Sequence, residues 1–159
     1  MNSVIKNKRA VSPVIATVIL VAVAITVAVA VAYWMGGIAG MYTKFEKVAI
    51  ESAYAPKITG GDWNITMILK NTGSANSTLT TAFVNDKPIT SYSPAITFWY
   101  STDGTAYHAV PSTGITIASG QGLYIILTVD NTLFSSGTTL NVKLHSAGGM
   151  DYIKLVELQ

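Results

Sequence analysis

No charged side chain occurs from Ala10 to Thr43. Inside that run, residues 14–32 are Val, Ile, Ala and Leu, with Thr17 and Thr26 the only exceptions. About 18 consecutive apolar residues suffice to cross a bilayer, and this stretch is longer. The alternation in Val21-Ala22-Val23-Ala24 resembles a strand. Both alternating sets are apolar, however, and an isolated strand in lipid leaves its backbone unpaired. A helix satisfies those groups internally, so the expectation is a hydrophobic helix over 11–44. Ser12 can cap it, and Pro13 fits a first turn that needs no intrahelical N–H. Thr17 and Thr26 can return their hydroxyls to the preceding turn. Tyr33-Trp34 fall where an interfacial aromatic belt would lie. From Pro13 to Lys44 such a helix measures about 48 Å against a hydrocarbon core of about 30 Å, more than crossing alone requires.

Three basic residues, Lys6, Lys8 and Arg9, directly precede the run and place the N-terminal side in the cytoplasm. The formal net charge is only +2, too little to argue for nucleic acid. Without residues 1–10, seven basic side chains face eight acidic ones. The basic charge is therefore a sorting feature and not a binding patch. Gly36 and Gly40, with Gly37 beside them, form a Gly-x-x-x-Gly spacing. It reads either as close helix–helix contact or as a flexible helix end leading into the next domain.

Three readings of the N-terminus compete. A secretory signal peptide would use the small-x-small sites Ala28-Val29-Ala30 or Ala30-Val31-Ala32, but its apolar core should be about 7–15 residues long and stop there. A permanent signal anchor, holding a single-pass surface protein with an external binding domain, satisfies every physical observation above. The third reading enters by resemblance. Lys8-Arg9-Ala10-Val11-Ser12-Pro13-Val14-Ile15 resembles the N-terminus of archaeal type IV pilins, and its Ser-Pro-Val-Ile is similar to that of the adhesive type. Bacterial type IV pilins usually carry Glu at the fifth mature position, where this chain has Ile15. The resemblance implies a basic leader, residues 1–10, removed by a prepilin peptidase that recognises Lys8 and Arg9 and cuts between Ala10 and Val11. It further implies partners: the membrane before assembly, the pilus assembly machinery, and further copies of the chain in an extracellular filament for adhesion. Residues 11–44 would form the filament core.

From Val48 the pattern changes to period two. Trp63, Ile65, Met67 and Leu69 alternate with Asn64, Thr66, Ile68 and Lys70; Leu123, Ile125, Leu127 and Val129 with Tyr124, Ile126, Thr128 and Asp130; and Leu140, Val142 and Leu144 with Asn141, Lys143 and His145. These are half-buried strands. Further strands are expected near residues 48–54, 79–84, 96–100, 107–110 and 152–158, separated by turns such as Asn85-Asp86-Lys87-Pro88 and Asp103-Gly104. Seven or eight short strands over 48–159 suggest an immunoglobulin-like antiparallel β-sandwich. The expected fold class is α+β: a long N-terminal hydrophobic helix followed by that sandwich. Trp63, Trp99 and Tyr100 read as sandwich core or, alternatively, as a contact with a neighbouring subunit or a surface.

Charged residues make up 11% of the chain, against about 25% in an average soluble domain. Such a surface suits an exposed or closely packed coat. There is no Cys, which excludes disulfides and thiol chemistry. His108 and His145 have no neighbouring carboxylate or second His at ligand spacing, so no metal is expected. No Gly-x-Ser-x-Gly or phosphate-cradling motif occurs, and neither enzyme activity nor a cofactor is expected. Two N-glycosylation sequons, at Asn64 and Asn76, are candidate modification sites.

Overall fold

The computed structural model describes residues 13–159. They fall into two compact units, which part between Thr43 and Lys44. The first holds one helix, α1, Pro13–Tyr42. Thr17 Oγ1 donates to the carbonyl of Val14 and Thr26 Oγ1 to that of Ala22, each at 2.8 Å. These bonds let two polar side chains sit in an apolar helix without a loose donor. Gly36, Gly37 and Gly40 lie inside the helix, not in a link beyond it.

The second unit is built from ten strands: β1 (Val48–Tyr54), β2 (Trp63–Asn71), β3 (Ser77–Val84), β4 (Lys87–Pro88), β5 (Ile96–Ser101), β6 (His108–Ala109), β7 (Ile115–Ile117), β8 (Gly122–Val129), β9 (Thr139–Ser146) and β10 (Asp151–Glu157). One sheet has the order β1-β2-β8-β5-β6, the other β10-β9-β3-β4, with β7 also paired to β3. All these pairs are antiparallel. The orders β1-β2-β8-β5 and β10-β9-β3 are those of the two sheets of an immunoglobulin domain. The chain is thus one apolar helix followed by a two-sheet sandwich.

Eight strands fall where strands were expected, three of them from period two. β4 and β7 are additions too short to show a period. Asn85 and Asp86 alone form the turn between β3 and β4, with φ of 50° and 63°. Positive φ at both central residues is what a two-residue hairpin of matching twist requires. Lys87 and Pro88, read as turn from the sequence, pair with Val84 and Phe83 instead. Proline is tolerated there because β4 is an edge.

The core forms where the two inner faces meet. Ile65, Met67 and Leu69 of β2 and Ile125, Leu127 and Val129 of β8 are fully buried, as are Leu140, Val142 and Leu144 of β9. Each such side chain contributes about 1.5–3 kcal/mol by leaving water. Trp63 is buried and Tyr100 half-buried, but Trp99 is 38% exposed. Trp99 and Tyr100 are consecutive in β5, so they point to opposite faces and cannot both be core.

The sheet edges are guarded. β1 shifts register between Ile50 and Ser52, leaving Glu51 exposed at the irregularity. On β10, Lys154 lies opposite the core residue Val142, which puts a lysine on the inward side of an edge strand. Bulges, inward charges, proline and short strands all disfavour pairing with another chain.

Candidate functional site

α1 is long and apolar enough to cross a membrane, and none of its residues is buried. Its Val, Ile and Leu side chains from Val14 to Val31 are all at least 47% exposed. A helix apolar on every side needs lipid or other helices around it. Residues 14–32 cover about 28 Å, close to one hydrocarbon core, and Tyr33-Trp34 follow at its edge. The eight residues from Met35 to Tyr42 extend the helix about 12 Å further. Gly36 and Gly40 prolong a row of small residues at every fourth position: Ala24, Ala28 and Ala32. A Cβ added at Gly36, Gly37 or Gly40 would meet nothing within 4 Å. Among the described residues no contact demands glycine there, and the row leaves a furrow along one helical ridge.

The chain enters the sandwich unit through a defined seat. Phe45 N donates to Ser74 Oγ at 3.0 Å, and Phe45 O accepts from Ala75 N at 3.0 Å. Lys47 O accepts from Thr72 N at 2.8 Å and Gly73 N at 3.1 Å. The loop that supplies these groups is braced from behind. Asn71, fully buried, donates through Nδ2 to the carbonyls of Ala75 (2.8 Å) and Ile117 (2.9 Å), and its Oδ1 accepts from Gly73 N at 2.9 Å. Ser119 Oγ donates to Gly73 O at 2.6 Å. A Cβ at Gly73 would stand 2.5 Å from Phe45 O, so the close approach of residues 45–47 depends on that glycine.

Glu46 locks the seat. Its Oε1 accepts from Ser77 Oγ at 2.5 Å and from the Tyr152 hydroxyl at 3.2 Å. It thereby joins the starts of β3 and β10. Burial pushes the Tyr152 pKa up and keeps the phenol a donor. Neither the seat nor Glu46 was foreseen; the sequence shows Asn71-Thr72-Gly73 only as a turn.

Of the residues singled out from the sequence, Lys8, Arg9, Ala10, Val11 and Ser12 lie outside the described residues. Pro13 is the first described residue of α1. Asn76 is exposed, just ahead of β3. Asn64 is half-buried on β2, and its Oδ1 accepts from Thr128 Oγ1 on β8 at 2.9 Å. His145 does have a carboxylate beside it: the β9–β10 register sets it opposite Asp151, with Nδ1 2.6 Å from Oδ1. His108 stacks against Tyr100, ring centroids 5.9 Å apart and tilted. Asp103 turns its carboxylate onto its own loop, accepting from Thr105, Ser101 and Ala106. Those bonds, the Thr105 hydroxyl's foremost, hold its pKa well below the usual carboxylate range.

No family model and no curated protein matches the chain. Among solved structures it is similar to the archaellum periplasmic stator protein FlaG from Sulfolobus acidocaldarius, at 12% identity and a TM-score of 0.40, over 70% of this chain and 99% of that one. A likeness so distant leaves the functional argument to the chain itself.

Proposed function

We propose that this chain is a structural subunit of an archaeal type IV pilus, polymerising through α1 into a surface filament used for adhesion. The observation that carries the reading is a helix apolar on every side with none of its residues buried. Moving it from lipid into a bundle of like helices gains little hydrophobic free energy, because both surroundings are apolar. The gain is close packing, which small residues permit, and the row from Ala24 to Gly40 offers it. Removing Lys6, Lys8 and Arg9 ahead of Val11 would free the cytoplasmic end to leave the bilayer. The guarded sheet edges favour assembly through helices over assembly through strands. In this reading the chain is not an enzyme and needs no cofactor or metal, and Asn76 is the better placed sequon.

A signal-anchored surface protein is the second reading, because the same helix is long enough to remain in the membrane. Intact mass and N-terminal sequencing of protein sheared from cells separate the two. A chain starting at Val11 in a filament fraction supports the pilin, and added mass would report glycans. A chain retaining its basic leader and staying with membranes overturns it.

A further inference from the structure

Trp99 is one of the residues that line a groove bordered by β3 and β5. On its free side β3 is paired by β7 at residues 77–79 and by β4 at residues 83–84, which leaves residues 80–82 without a strand there. Opposite this gap, β6 covers β5 only at Trp99 and Tyr100. The resulting groove has a volume of about 390 Å³, within the range of roughly 300–1,000 Å³ of small-ligand sites. Phe98 lines it beside Trp99, and Pro111 belongs to the segment after β6 that also borders it.

The polar lining is made of hydroxyls. Thr80, Thr81, Thr90, Thr97 and Ser112 border the groove, and none of its eleven lining residues is charged. Trp99 Nε1 donates to Thr97 Oγ1 at 3.0 Å, which fixes the indole and leaves the Thr97 hydroxyl proton free to donate outward. The hydroxyls of Thr81, Thr90 and Ser112 make no hydrogen bond within the described residues. A hydroxyl both donates and accepts, so this lining matches a ligand whose own polar groups do both.

We infer that this groove binds a neutral saccharide. A pyranose presents a flat patch of C–H groups, which suits an indole that is 38% exposed and held by Thr97, and a rim of hydroxyls, which suits the threonines. With no cation or anion in the lining, nothing compensates a phosphate, a carboxylate or an amine. A lipid tail would leave the free hydroxyls unpaired. An extended peptide would find only the three-residue opening in β3. The inference goes beyond the pilus reading and holds for a filament subunit and for an anchored protein alike.

The test uses the full chain in lauryldimethylamine oxide micelles, whose headgroup is not a sugar. Maltose, cellobiose, mannobiose and chitobiose are titrated while the indole N–H resonances of the three tryptophans are followed, with glucuronate as a charged control. At least one disaccharide should shift the Trp99 signal with a Kd of about 10 mM or tighter, leaving buried Trp63 unmoved. Trp99→Ala should weaken saturation-transfer signals on that sugar about tenfold. Thr81→Val, which keeps the shape and removes a hydroxyl, should weaken them several-fold. Silence from all four sugars overturns the inference, as does binding that survives Trp99→Ala. A response of Trp99 to a Thr/Val-rich heptapeptide and to none of the sugars would assign the groove to peptide instead.

Discussion

Gly148 and Glu46 make a testable pair. A Cβ at Gly148 would overlap Glu46 Oε2. The carboxylate ends a flexible side chain, so it can swing away, but only by releasing Ser77 and Tyr152. Gly148→Ala and Glu46→Ala should therefore each lower the stability of the sandwich by about 1–3 kcal/mol, the cost of leaving buried partners unpaired. The double variant should be little worse than either single one, because both remove the same bonds; urea midpoints of the three proteins check this. Asp103 predicts a pH effect. Its folded carboxyl titrates below the unfolded one, whose pKa is about 4. Its stabilisation is thus complete above about pH 4 and is lost as the pH falls through the folded value. Asp103→Asn should shrink the drop in urea midpoint between about pH 6 and pH 2.5. Single residues were the least legible in the sequence. Trp99 and Tyr100 looked alike as large apolar bodies, yet strand alternation alone forbids both from facing the core. The carboxylate beside His145 sits six residues away, and only the β9–β10 register sets the two opposite each other.

At the scale of elements, α1 was the most legible, because a nineteen-residue stretch with only two threonines among its apolar side chains admits one backbone solution in lipid. It was expected to run to about residue 44, and it runs through three glycines in five residues to Tyr42. Each interior glycine costs about 1 kcal/mol against alanine, which a continuous hydrogen-bond ladder can absorb. On the pilus reading, Gly36→Leu and Gly40→Leu should keep or raise helicity while abolishing filaments seen by electron microscopy, and alanine at either position should be tolerated. The long strands were legible by period two. β4 and β7 were not, having two and three residues. Edge protection predicts an aggregation phenotype. Ile153 and Leu155 are already exposed on β10, so Lys154→Val should yield strand-paired oligomers by light scattering with little change in unfolding midpoint.

For the molecule as a whole, the two units predict two separate responses to denaturation. Leu127 is fully buried, so Leu127→Ala should destabilise the sandwich by about 2–5 kcal/mol. In detergent, the helical far-UV signal should persist unchanged through the sandwich transition in both wild type and variant. The division between apolar helix and alternating strands was legible from composition and period, since lipid and a folded core impose different patterns. The change was expected between residues 44 and 48, and α1 ends at Tyr42 while β1 begins at Val48; the seat at residues 45–47 was not legible, because it relies on hydrogen bonds to a loop some thirty residues later. That seat has a mechanical meaning. Tension passed along the backbone from α1 reaches the bonds at Phe45, Glu46 and Lys47 before it reaches β1. These few bonds should therefore give first under load, and force spectroscopy should show a small step ahead of the unfolding of the sandwich.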